Sequence, residues 1–395
     1  MTQSNFNSKR IESIDVFRAL TMFLMIFVND FWTLTNVPEG LQHMDAQVDA
    51  IGFSDIIFPA FLFIVGLSIP FAIKARRNKG DSNGPILVHV FKRTLALIIM
   101  GLFMVNFESI NADLLLINKY AWELIMGLAI FLIWTLYKPA KKNQKKTILQ
   151  LTGLALLIFL AVIYKGGSND NVLWMQTHWW GILGLIGWAY LLNTLIYLFF
   201  GRSLVILWIV FIVFHVLNIE EFASVTGIPN LKFVISASMH VAVCAGMIVG
   251  SVMLHFKALE KEKLFLLFVL VLGIVSLVYG FALRPYWGGF SKVRGTPSWA
   301  SVCIGISCLS FLVLYVIVDK LKFKTWTNLF KIAGTNTLTC YLIPYFIYPL
   351  VMIFALSLPD ILLDGYIGLL KSLVFSFIVI GITALLNNIN IKLKV

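Results

Sequence analysis

The sequence predicts an all-α polytopic integral membrane protein of about twelve transmembrane helices, organised as one domain over residues 1–395. Three observations predict it. Hydrophobic residues make up 59% of the chain and charged residues 13%, against about 25% charged in a soluble domain. The apolar residues come in runs of roughly 18–22, the length a helix rising 1.5 Å per residue needs to cross about 30 Å of hydrocarbon; strands do not account for such runs. The basic residues, finally, cluster in alternate interruptions between the runs, which is the positive-inside bias.

Met1 to Arg10 is polar, and the first run, 17–35, follows Arg18 without a small-residue cleavage site, which predicts a retained helix and no signal peptide. Runs at 53–73 and 86–106 flank Lys74, Arg76, Arg77 and Lys79, and runs at 119–137 and 147–165 flank Lys138, Lys141, Lys142, Lys145 and Lys146. Between 180–200 and 203–217 stand only Gly201, Arg202 and Ser203, and the second run is short, so ten or eleven helices are also compatible. Runs at 236–255 and 264–283 flank Lys257, Lys261 and Lys263, and those at 299–318 and 335–357 flank Lys320, Lys322 and Lys324. The last run, 366–388, is followed by Lys392 and Lys394. With alternating helices all these clusters, and Lys9 and Arg10, fall on one side. Both termini are therefore predicted to be cytoplasmic, in a bacterial inner membrane. The net charge of +12 is spread over these loops; no single basic patch or aromatic-interleaved groove exists to hold nucleic acid. Cys244, Cys303, Cys308 and Cys340 lie inside apolar runs without metal-ligand spacing, so they are predicted to be small core residues and no metal is expected.

Trp122, Trp174, Trp179, Trp180, Trp287 and Trp299 fall near predicted span ends, where tryptophan forms interfacial belts or, on the outer side, platforms for sugar rings. Ionisable groups at membrane depth are costly and mark ligand or proton sites. The first helix pair holds an unusual set: Glu12, Asp15 and Arg18 at its inner end, Asn29 and Asp30 at its outer end, His43, Asp45 and Asp49 in the loop, and Ser54 and Asp55 opening the second run.

The segment Arg10 to Phe17, Asn29, His43 and the run Ser54-Asp55-Ile56-Ile57-Phe58-Pro59-Ala60-Phe61-Leu62-Phe63-Ile64-Val65-Gly66 resemble the signature of the transmembrane acetyltransferases related to heparan-α-glucosaminide N-acetyltransferase, with the nearer likeness to bacterial NagX-type relatives. Further similarity lies in Phe91-Lys92-Arg93-Thr94, Trp179 to Gly184, Ser291-Lys292, Thr296 to Trp299, and Gly334 to Leu338. The spacings from Asn29 to His43 and from His43 to Asp55 are a few residues longer than in the animal enzymes, and the large lumenal N-terminal domain of those enzymes is expected to be missing.

The resemblance implies a single transmembrane acyltransferase domain that moves acetyl from cytoplasmic acetyl-CoA to the amino group of glucosamine or a related amino sugar on the periplasmic side. Phosphate-bearing coenzyme A cannot cross hydrocarbon, so a cationic inner mouth is expected, with Arg93, Lys92 and Arg18 as candidates beside their simpler reading as positive-inside flanks. A guanidinium offers two parallel donors to a phosphate, which favours Arg93. Asn336 either satisfies broken helix backbone or contacts the donor. Histidine ordinarily titrates near pH 6.5, so His43 is suited to take the proton of an attacking amine; otherwise it is a solvated loop residue. Asp55 would orient its ring or cap the second helix, as Ser54 also can, and Asn29 would donate to the developing oxyanion. Asp45 and Asp49 would attract a cationic amino sugar or are solvated. His178 and Trp180 would touch the acceptor, and Lys292 would pair with an acidic sugar substituent. The lipid bilayer is the remaining partner, and a homo-oligomer stays open. The rival function is a secondary transporter of amino sugars or their fragments; it is opposed by the concentration of polar residues in the first two helices and by the lack of two corresponding halves.

Overall fold

The structure, a computed structural model, describes residues 11–137, 144–223 and 234–395. Lys9, Arg10, Lys138, Lys141 and Lys142, used above for orientation, lie outside the described residues. Among the described residues the named regular elements are helices apart from one hairpin of two-residue strands, β1 (Gly166–Gly167) and β2 (Val172–Leu173).

The helices are α1 (Glu12–Asn29), α2 (Ser54–Asn78), α3 (Asn83–Glu108), α4 (Lys119–Trp134), α5 (Gln144–Ile163), α6 (Gly181–Phe200), α7 (Leu204–Ala223), α8 (Ala237–Ala258), α9 (Glu262–Leu283), α10 (Pro297–Leu314), the short α11 (Lys331–Thr335), α12 (Thr337–Leu342) and α13 (Pro344–Ile353), and α14 (Gly365–Asn388). Among the described residues, nine helices are long and apolar enough to cross a membrane. The other three expected runs form shorter or interrupted helices: α1 has 18 residues and carries Glu12, Asp15 and Arg18, α4 has 16, and Thr337–Ile353 is broken before Pro344. The run at 203–217, short in the sequence, is a separate helix of 20 residues, α7, because the chain turns at Gly201–Ser203.

Burial separates a centre from a rim. Within its apolar window α8 is 89% buried and α2 72%, whereas α5 and α7 are 22% buried and α14 is 28%. Isoleucines, valines and phenylalanines on those outer helices face outward, as lipid contact requires. In hydrocarbon, helices associate through close packing rather than hydrophobic transfer, which favours small residues at the contact. Gly66 of α2 and Gly246 of α8 meet this need: a Cβ at either would collide with the facing backbone, at Val243 O and Phe63 O respectively. All four cysteines are buried and free, as expected of core residues. Two tryptophans depart from the belt reading: Trp122 is fully buried and donates to Leu160 O, and Trp299 is 1% exposed and donates to Asp55 O. Both indoles occupy the protein interior because each finds a backbone acceptor there.

The helices alternate so that the ends of α1 and α3 and the starts of α2, α4, α6, α8 and α10 share one end of the bundle with the His43 loop. The start of α1, the end of α2, the start of α3, and Asn336 share the other, with Arg93 nearly three helical turns into α3.

Candidate active site

The loop between α1 and α2 is tied down before it presents any chemistry. Ser54 Oγ donates to Leu41 O at 2.6 Å, and Phe53 N–H donates to Gly40 O. Asp55, in the first turn of α2 and 1% exposed, accepts from the Met44 and Gly52 backbone N–H groups at 3.1 Å each through Oδ2. Its Oδ1 lies 2.8 Å from His43 Nδ1. With a carboxylate as partner Nδ1 carries the hydrogen, which leaves Nε2 as the acceptor nitrogen of the ring. Neither Ser54 nor Asp55 makes a capping hydrogen bond at the start of α2, although Asp55 stands in its first turn, where a carboxylate meets the helix dipole.

A third group joins this pair from 249 residues later in the chain. Lys292 Nζ lies 3.0 Å from His43 Nδ1, 3.4 Å from Nε2 and 3.9 Å from Asp55 Oδ1. The turn that carries it is stapled to the His43 loop: Ser291 Oγ donates to Ala46 O, and Thr296 Oγ1 accepts from Ser291 N–H and caps α10. Burial holds the Lys292 ammonium below the ordinary lysine value, with the Asp55 charge opposing. Thus Lys292 sits against the imidazole.

His43 and Lys292 line a cavity of about 910 Å³ together with Asn29, His178, Trp179 and Trp180. Asn29 ends α1 with its side chain exposed to this space. Its neighbour Asp30 turns the opposite way and is anchored by Tyr348 Oη at 2.7 Å, Lys371 Nζ at 2.6 Å and Ser372 Oγ at 2.6 Å. Lys371, in the otherwise uncharged α14, also donates to Thr33. Sequence reasoning missed this anchor, although a lone lysine in an apolar run signals a carboxylate partner. Asp45 and Asp49 are not in the cavity wall. Asp45 is exposed; Asp49 is bound by Arg284 Nε at 2.9 Å and by the Phe290 N–H. Although burial opposes it, those contacts hold the Asp49 carboxyl below its ordinary range.

At the other end a cavity of about 420 Å³ is lined by Arg18, Arg76, His89, Arg93, Asn336 and Lys394, among others. Arg18 spans Asp15 at 3.1 Å and Ser68 at 2.7 Å, and Arg76 pairs with Asp81. The Arg93 guanidinium stands 4.8 Å above the Tyr190 ring, and its Nε is buried without a hydrogen-bond partner. Such a donor costs stability unless something accepts from it. Lys92 is exposed and outside the wall. Asn336 interrupts the chain between α11 and α12 and donates to Asn387 Oδ1 at 3.1 Å, so it both serves the break and lines the cavity. Arg76 and Lys394 were read only as flanks, because a positive-inside residue and a phosphate ligand look alike in sequence. Met25 of α1 and Ile182 of α6 belong to the walls of both cavities, so the two ends meet inside the bundle.

Residues 10–118 match the family model described as heparan-alpha-glucosaminide N-acetyltransferase, catalytic. Heparan-alpha-glucosaminide N-acetyltransferase of Homo sapiens is 30% identical over 101 residues, and that of Mus musculus 28% over 104. Each match takes in 25% of this chain and 14% of the relative, so the chain is similar to about one seventh of their length. The matched segment holds Asn29, His43, Asp55 and Arg93; His178, Trp180, Lys292 and Asn336 lie beyond it and reach the same two cavities only through folding. Over this N-terminal segment the chain is similar to the catalytic region of heparan-alpha-glucosaminide N-acetyltransferase, a transmembrane acetyltransferase.

Proposed function

We propose that the protein is an acetyl-CoA-dependent N-acetyltransferase of the bacterial inner membrane, with both termini cytoplasmic. It accepts donor phosphates at the Arg93 end and acetylates glucosamine or a related amino sugar on the periplasmic side, at the His43 end. The observation that carries this reading is the meeting, at Met25 and Ile182, of a cation-lined cavity with one that holds a His–Asp pair. Arg93, Arg18, Arg76 and Lys394 supply phosphate ligands, and the acyl arm extends past Met25. The amine nitrogen attacks the thioester carbonyl carbon while His43 Nε2 takes its proton. Asp55 holds the ring and offsets the imidazolium charge. Lys292 and Asn29 donate to the oxygen that becomes negative. As the carbon–sulfur bond breaks, the imidazolium returns its proton to the leaving thiolate, which restores His43 and releases CoA and the amide. No covalent acetyl-histidine is required.

Free-thiol release by the purified protein tests the reading. Release that needs both acetyl-CoA and glucosamine is expected, whereas sugar uptake into proteoliposomes without CoA consumption would identify a carrier. Arg93→Ala should weaken acetyl-CoA binding by about 1.5–3 kcal/mol, the range for a hydrogen bond to a charged group. Calorimetry on the folded variant checks this, and unchanged donor affinity would remove Arg93 from the site.

A further inference from the structure

A third cavity, of about 530 Å³, opens beside the first two and is absorbed by neither half of the reaction above. Its wall includes Glu108, Glu123, Trp32, Trp179, Tyr345 and Tyr348. Glu123, in the second turn of α4, is 5% exposed, and among the described residues it has no hydrogen bond or ion pair. The cation one helical turn before it acts on it through space but forms no ion pair with it: Lys119 Nζ stands over the Phe107 ring at 4.8 Å. A carboxyl at membrane depth that makes no hydrogen bond or ion pair marks a ligand or proton site. Glu108, at the exposed rim, accepts from the Trp179 indole at 3.3 Å. Trp32 meets Tyr348 edge-to-face at 5.3 Å, so the aromatic surfaces form a fixed wall.

Two carboxyl groups among aromatic faces suit one class of ligand: an organic ammonium ion whose body presents C–H groups, as a protonated hexosamine does. The cavity shares Asn29, Trp179 and Ile182 with the one that holds His43. The latter is lined by Lys292, Arg294 and Glu221, and at the imidazole itself the Lys292 ammonium disfavours a second ammonium ion. An amine acceptor in water is mostly protonated and has no lone pair with which to attack a thioester. It therefore has to be captured as a cation and delivered as a free base. We propose that the Glu123 cavity is the acceptor-capture subsite: it binds the ammonium form of the amino sugar beside Asn29, the ammonium proton is given up to solvent at the exposed Glu108 rim, and the free amine passes to His43. This rests on the acetyltransferase reading for its consequence in turnover, but not for the binding event itself.

Glucosamine titrated without acetyl-CoA, and followed by the fluorescence of the wall tryptophans and by calorimetry, tests the capture. Glucosamine should bind at least about tenfold tighter than glucose. Glu123→Gln, which keeps the side-chain shape, should weaken glucosamine about 10- to 100-fold and erase its preference over glucose. In turnover the same variant should raise KM for glucosamine by a similar factor, with kcat at saturating acceptor nearly kept and acetyl-CoA affinity unchanged. Glu108→Gln, on the exposed rim, should show a smaller loss in the same direction and serves if the buried variant folds poorly. His43→Ala should still capture glucosamine. Unchanged glucosamine affinity and KM in folded Glu123→Gln would overturn the subsite while leaving the acetyltransferase reading intact. Glu123-dependent capture without any thiol release would support the subsite and overturn the reaction.

Discussion

Replacing His43 with alanine is expected to lower acetyl transfer about 10²–10⁴-fold, the usual worth of a positioned general base, while acetyl-CoA affinity stays within about twofold because no donor contact is lost. The side chain is 46% exposed and packs little, so the fold should survive its removal. Asp55→Asn should also slow turnover. Its carboxylate takes the His43 Nδ1 hydrogen and two backbone N–H groups, and an asparagine has one oxygen with which to replace two acceptors. Its amide can also present a donor to Nδ1, which would turn the wrong ring nitrogen toward the substrate. Single-turnover measurements at saturating donor separate these effects from binding. A folded His43→Ala protein that acetylates glucosamine at the wild-type rate would return His43 to the role of a solvated loop residue.

Lys371→Met should be the most damaging substitution for stability. It strands Asp30, 1% exposed, in a site that three side chains now satisfy. Breaking a buried pair from one side costs about 3–5 kcal/mol. Asp30→Asn combined with Lys371→Met removes both charges and should recover part of that loss. Unfolding of the purified variants in detergent would show the order wild type, double variant, Lys371→Met. Equal stability of the single variant and the wild type would mean that the pair does not hold the end of α1. Because Asn29 adjoins Asp30, the single variant should lose transfer activity as well, and the double variant should regain some of it.

The helical membrane class was legible because hydrocarbon permits few solutions: a long apolar run must be a helix, and its flanking charges follow the same rule in every loop. The His43–Asp55 pair was legible too, since one loop and one helix start carry both residues and no distant packing has to be guessed. Lys292 was singled out for a different task, because nothing local in Ser291 to Pro297 says that Ser291 will bond to Ala46 and bring the ammonium onto the imidazole. Arg93 and Lys92 are adjacent in sequence, yet helical geometry turns one into the cavity and the other outward. Trp122 and Trp299 stand at run ends like any belt tryptophan, and only their backbone acceptors reveal them as interior residues. Glu123 carried a signal that went unread: a carboxyl inside an apolar run asks for a partner, and the fold supplies a cavity instead.

In the proposed reaction donor and acceptor are used from opposite faces of one protein. Right-side-out vesicles loaded with acetyl-CoA and supplied externally with glucosamine test it most directly, with the acetylated sugar assayed in the external medium. Product is expected to accumulate outside, to depend on internal acetyl-CoA, and to be mostly lost in Arg93→Ala and in His43→Ala. Product formed only when acetyl-CoA and glucosamine are supplied on the same face would contradict it.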